Sequence, residues 1–443
     1  MPSLTPLHET YCKWDRTPPS QADVLEGLAQ LVTMRFSDVV HDLIQNIQRE
    51  LLISIFGMSE QKSKKFHKIP YVAKLYQLTY ETFFNYGNYL LAPGLRSIIE
   101  KFPRLHDKPM TPMLHFLVGA LNGVLGDYLL KYHNPMALPM AVYDHYGAVQ
   151  QGELTGRITL LVHGLCMNHL DWSTRKYGGI GEKLLAQRDH NTMLYLSYNT
   201  GRRISANGRS LSNTLEELVQ RNPGITSIDL IGHSMGGLVS RSALFYGKQN
   251  MQGWIHQVEN LVCLGSPHHG AVLERIGFAL QKRLRRIPMG KIIGHIANIR
   301  SNGILDLRYG SVRDDDWEHN DVRIGLMDDN RKPAPIPSHI NTYLVAGTIE
   351  FENRKNRTLQ VIGDYLVSVK SALGEHPNPR YQLKVPDAHK AIFYGLNHFE
   401  IQHHPQVAEQ IVHWFYPNAE DTQCTEIHEF MMDLEQFEGI AMT

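Results

Sequence analysis

The sequence predicts a mixed α/β fold, a mostly parallel sheet flanked by helices, with a helical N-terminal module and a cap insertion. Three observations predict it. Short apolar and β-branched runs recur after the first third of the chain, at 157–162 (RITLLV), 193–198 (MLYLSY), 225–231 (ITSIDLI), 261–264 (LVCL) and 342–346 (TYLVA). Helical stretches separate several of them, such as 211–220, which closes on Asn222-Pro223-Gly224. Strands that are apolar throughout are buried on both faces, and their alternation with helices marks parallel βα units. Up to about residue 140, by contrast, no period-2 strand is visible.

The elements follow in order. Over 21–56, Val32, Phe36, Val40, Leu43, Ile47 and Leu51 step by three or four residues and form one helical stripe. A Lys-rich polar break at 61–68 reads as a loop. Residues 71–100 and 112–132 read as helical again, interrupted by Pro93-Gly94 and Pro103. The domains expected are therefore a helical N-terminal module at 1–149 and a core at 150–270 and 338–416. A cap occupies 271–337, and 417–443 form an acidic tail. About 65 residues between two strands is far longer than an ordinary connection, which is why 271–337 reads as an insertion. It carries an apolar helical stripe (Leu273, Ile276, Leu280, Leu284, Ile287), a basic cluster from Lys282 to Lys291, and an acidic stretch over 314–329.

Composition excludes several function classes. The 44 basic and 44 acidic residues cancel, so there is no basic excess for nucleic acid, and no nucleic-acid partner is expected. Cys12, Cys166, Cys263 and Cys424 lie far apart with no CxxC pair, which argues against a disulfide framework or a Cys-based zinc site and fits a reducing, cytoplasmic setting. The N-terminus lacks a cationic region leading into an apolar stretch, so no signal peptide is expected. The longest apolar stretch, 114–125, contains His115 and Asn122 and is short for a membrane span.

The chemistry lies in one motif. The run at 225–231 leads directly into Gly232-His233-Ser234-Met235-Gly236-Gly237 and then a helix. This is G-x-S-x-G in strand–turn–helix context: a nucleophile at the tip of a sharp turn, flanked by glycines that let neighbouring backbone approach. A serine hydroxyl needs a base, and the base an orienting acid, in chain order Ser, Asp/Glu, His. Asp364 follows an apolar run at 359–362 in a Gly-Asp turn, and His398 follows 391–396 just before a helix. Asp387 is the alternative acid, and His403 and His404 are alternative bases. The N–H groups of Met235 and of Leu165, in the loop after the first clear strand, are the expected oxyanion donors. His163 reads as structural. The sequence carries 24 histidines, but adjacent His268 and His269 on a turn point apart and no H-x3-H pair with a carboxylate is visible, so no metal and no cofactor are expected.

Beyond these residues, LLVHGL with Asn168, IGHSMGGLVSR, LGSPHHGA, the Gly363-Asp364 turn and GLNHFE with a following HP resemble α/β-hydrolases of the lipase and GPI inositol-deacylase-like group. The upstream 121–140 and the insertion segment 299–310 are similar to bacterial members with a helical N-terminal region. The resemblance implies the α/β-hydrolase fold and hydrolysis of acyl-lipid or smaller esters; the glycolipid-anchor substrate of eukaryotic members does not transfer with it.

The expectation is thus a serine carboxylic-ester hydrolase acting on an acyl-ester or lipid substrate, with the cap helix as an apolar wall over the nucleophile. Two other classes stay open: an acyltransferase using the same residues, and a non-catalytic ligand-binding or scaffold protein. The basic cluster at 282–291 has two readings, peripheral contact with an anionic membrane and a solvated face balanced by the acidic stretch.

Overall fold

The computed structural model describes residues 17–33, 91–174, 178–186, 192–271, 301–317, 331–350 and 363–417. Seven strands form the main sheet: β1 (Ala141–Tyr143), β2 (Gly156–Val162), β3 (Thr192–Ser197), β4 (Ile225–His233), β5 (Val258–Leu264), β6 (Asn341–Thr348) and β7 (Lys390–Tyr394). Their spatial order is β1-β3-β2-β4-β5-β6-β7. Every pairing is parallel except that of β1, which runs antiparallel to β3 at the edge. The five apolar runs read from the sequence are β2 to β6.

Alternation along each strand divides the core in two, because successive side chains point to opposite faces. Leu160, Leu230 and Leu261 pack on one face with Leu211, Leu215 and Leu218 of α5 (Ile204–Arg221) and Leu238 and Val239 of α6 (Met235–Gln249). Leu161, Ile231 and Val262 face the other side, against α4 (Ile180–Leu185) and α9 (Pro405–Phe415). One charged group breaks the apolar pattern of the central strand. Asp229 of β4 is fully buried and accepts from Arg157 Nε at 2.7 Å, Arg157 Nη2 at 3.1 Å and Asn260 Nδ2 at 2.7 Å.

Upstream, α1 (Gln21–Thr33), α2 (Leu91–Lys101) and α3 (Pro112–Lys131) enclose a separate apolar cluster. Pro93 and Gly94, read as an interruption, lie inside α2. Thr111 caps α3 by accepting from Leu114 N–H at 3.3 Å, with Pro112 at its first position. At 20 residues, α3 is long and apolar enough to cross a membrane, and most of it is buried inside the protein. Its Asn122 is fully buried and donates to the carbonyls of Val118 and Met136, both at 2.8 Å, while accepting from Leu138 N–H at 2.9 Å.

One boundary shifts. β1 lies within the segment expected to be the helical module, so the sheet begins at Ala141 rather than after residue 149. Three residues are too few to show a period, and antiparallel pairing at an edge leaves no βα rhythm to read.

Of the insertion, 301–317 and 331–337 are described. The apolar stripe 273–287, the basic cluster 282–291 and the acidic residues after 317 lie outside the described residues, as do the helical stripe beyond Thr33 and the run 359–362. The described parts pack into the core rather than standing off it: Ile304 and Leu305 of α7 (Asn302–Asp306), Leu307, Val312 and Ala334 are buried. Asp314 pairs with Arg209, and Asp315 with Arg313 at 2.7 Å and Lys332 at 3.0 Å.

Candidate active site

β4 ends at His233 and α6 starts at Met235, so Ser234 alone makes the turn between them. It does so at φ 54°, ψ −121°, a region that a residue with a Cβ rarely enters. The surroundings impose that geometry. Ser234 N–H donates to the Leu264 carbonyl at the end of β5 at 2.8 Å, and Gly237 N–H donates to the Ser234 carbonyl at 3.2 Å. A Cβ on Gly236 would collide with the Val162 carbonyl and lie 2.7 Å from that of His163, and one on Gly232 would lie 2.5 Å from Gly237 Cα. Ser234 therefore stands at the N-terminus of α6, the positive end of the helix dipole.

His398 and Asp364 meet at the same end of the sheet. His398 Nδ1 lies 2.7 Å from Asp364 Oδ2, and His398 N–H donates to the Asp364 carbonyl at 3.1 Å. The other carboxylate oxygen accepts from Leu366 N–H at 3.0 Å and Val367 N–H at 2.9 Å, so Asp364 is saturated with donors although it is buried. Donation from Nδ1 leaves His398 Nε2 as the nitrogen that bears a lone pair. His398 follows β7, and Asp364 follows β6 in the described chain, just before the short α8 (Val369–Ala372).

Two contacts join this pair to the Ser234 turn. His233 Nε2 donates to the His398 carbonyl at 2.8 Å, with the two rings 4.9 Å apart. Gly265, one residue beyond the carbonyl that holds Ser234, has φ 57°; a Cβ there would fall 3.1 Å from Asp364 Oδ2 and 3.3 Å from His398 Nδ1. Gly265 was not singled out in the sequence, although its place directly after the strand in LGSP was the available signal. Ser234, Asp364 and His398 are all at least nine-tenths buried.

The loop after β2 runs alongside. A Cβ on Gly164 would sit 3.0 Å from Ser234 Cβ, which places the Gly164–Leu165 backbone against the serine. Among the described residues, nothing accepts a hydrogen bond from the N–H of Leu165 or of Met235. His163 lies behind the loop, its Nδ1 2.9 Å from the Gly164 carbonyl and its ring stacked on Tyr198, whose hydroxyl donates to the His163 carbonyl at 2.7 Å.

The alternatives fall elsewhere. Asp387 is almost fully exposed and pairs with Lys390 at 2.9 Å. His403 and His404 stand in the turn that enters α9. His268 is buried and accepts through Nδ1 from Arg241 Nη1 at 3.1 Å. Burial, then the neighbouring guanidinium, hold its pKa well below the ordinary value, so it is neutral. Among the described residues, no group of three His, Cys, Asp or Glu side chains is arranged to hold a metal ion.

A family model for the PGAP1-like alpha/beta domain matches residues 153–376. No curated protein matches the chain. Solved structures similar to it include Bacillus licheniformis lipase BlEst2 in its mature form (18% identity, 62% of this chain and 97% of that one, TM-score 0.39). Another is naproxen esterase from Bacillus subtilis (14% identity, 62% and 87%, TM-score 0.34). The matched segment runs from the strand before the expected oxyanion loop to beyond Asp364 and makes up half of the 443 residues. With its mostly parallel seven-stranded sheet and the Ser234 turn between β4 and α6, the chain has the α/β-hydrolase fold and belongs to the PGAP1-like α/β domain family.

Proposed function

We propose that the protein is a serine hydrolase of carboxylic esters, with acyl lipids or other acyl esters as its substrate class. The observation that carries this reading is the buried Nδ1–carboxylate contact of His398 with Asp364, which leaves Nε2 free to act as a base and is tied to the strained Ser234 turn through His233. In this reading Ser234 Oγ attacks the acyl carbon while its proton passes to His398 Nε2. The N–H groups of Leu165 and Met235, with the α6 dipole behind the latter, receive the negative charge that develops on the carbonyl oxygen. The imidazolium returns the proton to the leaving alkoxide, and the Asp364 carboxylate stabilises it meanwhile. A water molecule, deprotonated by the same nitrogen, then cleaves the acyl-enzyme to a carboxylic acid and frees Ser234.

The reading is tested by fluorophosphonate labelling and by turnover of p-nitrophenyl esters of graded chain length. Wild type should be labelled at Ser234 and turn over at least one ester, and Ser234→Ala should lose both with an unchanged melting temperature. Wild-type protein that neither labels nor turns over any chain length would sink it. The chain-length preference separates an esterase from a lipase.

A further inference from the structure

The oxyanion loop does not hold its own shape. Cys166, directly after Leu165, has φ 59°, a left-handed conformation that disfavours a residue with a side chain. Its N–H donates to Thr200 Oγ1 at 3.1 Å, and its side chain is buried against α3. Gly119, Gly123 and Gly126 lie four and three residues apart and so share one face of that helix. A Cβ on Gly123 would overlap Cys166 Sγ and lie 3.0 Å from both its Cα and Cβ. One on Gly119 would lie 3.0 Å from the Met167 carbonyl, and one on Gly126 would overlap the Asn199 amide.

Hydrogen bonds lock the same contact. Asn199 Nδ2 donates to the Gly126 carbonyl at 2.8 Å, and Ser301 Oγ to the Gly123 carbonyl at 2.7 Å. Leu165 itself packs against both the sheet cluster and the α3 cluster. The backbone of α3 thus lies directly on the segment that carries the Leu165 N–H.

We propose that Gly123 is a positioning residue: by letting α3 seat Cys166 in its left-handed conformation, it aims the Leu165 N–H at the developing oxyanion and makes the N-terminal helices part of the active machinery. This rests on the assignment of Ser234 as nucleophile and Leu165 as oxyanion donor. Atoms in ordinary contact stand about 3.5–4.0 Å apart. A methyl on Gly123 therefore forces Cys166 away, and Leu165 with it. Loss of one oxyanion donor lowers kcat by roughly 100- to 1,000-fold, so a displaced one should cost about 10- to 100-fold.

The experiment is kinetic and uses the full chain. Gly123→Ala should lower kcat by about 10- to 100-fold, with KM within about threefold and the pH profile of kcat unmoved, since base and acid are untouched. Cys166→Gly in the same chain removes the opposing Sγ and Cβ and suits a positive φ. That double variant should recover most of kcat. If Gly123→Ala fails to fold, Gly119→Ala, with its milder 3.0 Å contact, should still fold and show the same selective loss. The proposal is overturned if kcat of the folded single variant stays within twofold of wild type. It is equally overturned if the double variant regains its melting temperature but not its kcat. Wild-type protein that fluorophosphonate does not label at Ser234 would instead refute the underlying site assignment, before any variant is made.

Discussion

His398 and Asp364 are joined twice, once side chain to side chain at 2.7 Å and once backbone to backbone at 3.1 Å. The double tie fixes both which nitrogen of the imidazole is protonated and where the ring points. Asp364→Asn keeps the size and the backbone bonds, but its amide can present a donor to Nδ1 and so favour the wrong tautomer. The expected result is a loss of roughly 10,000-fold in kcat near neutral pH, with melting temperature changed by only a few degrees. Steady-state kinetics paired with thermal denaturation checks it; a loss below about tenfold would remove Asp364 from the site.

Gly236→Ala should act on the fold. Its Cβ would meet the Val162 carbonyl, with that of His163 2.7 Å away, and both are backbone atoms of β2 and the loop after it. Neither can step aside without moving the strand. Overpacking of this kind costs about 1–3 kcal/mol, visible as a lower urea midpoint at constant slope.

Arg157 offers a test of the sheet interior. Asp229 is fully buried, and the bidentate Arg157 guanidinium balances its charge from a partly exposed position. Burial works to lower the Arg157 pKa, but hydrogen bonding and charge from Asp229 outweigh it and raise the net value. Arg157→Met strands the carboxylate in the core, and breaking a buried pair costs about 3–5 kcal/mol. Chemical denaturation should show it. Asp229→Asn combined with Arg157→Met should restore part of the loss, because no buried charge is then left behind; Glu259, the other partner of Arg157 at 3.1 Å, is half exposed.

Acid sensitivity should come from the buried histidines, His268 and His269 among them, and His115 and His169 offer the cleanest test. Desolvation holds His115 near about 4, and desolvation first, with His115 and His163 adding to it, holds His169 near about 2. An unfolded histidine titrates near 6.5. Between these values the unfolded chain binds more protons, so stability is full above about pH 6.5 and falls as the pH drops toward 4. The His115 ring meets His169 edge-on at 4.8 Å, a contact that phenylalanine can preserve. His115→Phe should therefore flatten the loss by up to about 1.4 kcal/mol per pH unit over that window. Urea midpoints at pH 7.5, 6 and 5 for both proteins decide it, and parallel slopes would refute the assignment.

How far each feature could be read from the chain follows from the range of the interaction behind it. The turn at Ser234 was legible because its strain, its glycines and its helix are contiguous in sequence. Strands β2 to β6 were legible because burial on both faces makes them apolar throughout. β1 was not, since three edge residues show no period, and Pro93-Gly94, read as an interruption, lies inside α2. Asp364 was reached through an apolar run at 359–362 that lies outside the described residues; in the described chain the strand before it is β6.

The sequence by itself determined the α/β class, the nucleophile turn and the candidate Ser234, Asp364 and His398, all of which rest on local pattern and chain order. Only the tertiary structure decided which carboxylate meets His398, excluding the exposed Asp387. It alone shows that Gly265 makes room for that meeting and that α3 lies on the loop after β2. Gly123 and Cys166 are 43 residues apart, and nothing in either neighbourhood betrays the other. Their contact exists because the helix cluster and the sheet cluster must each bury an apolar face, and Leu165 is packed where the two meet. The 44 against 44 charge balance is silent about the site. What organises the site is buried, directional hydrogen bonding, which a net charge does not record.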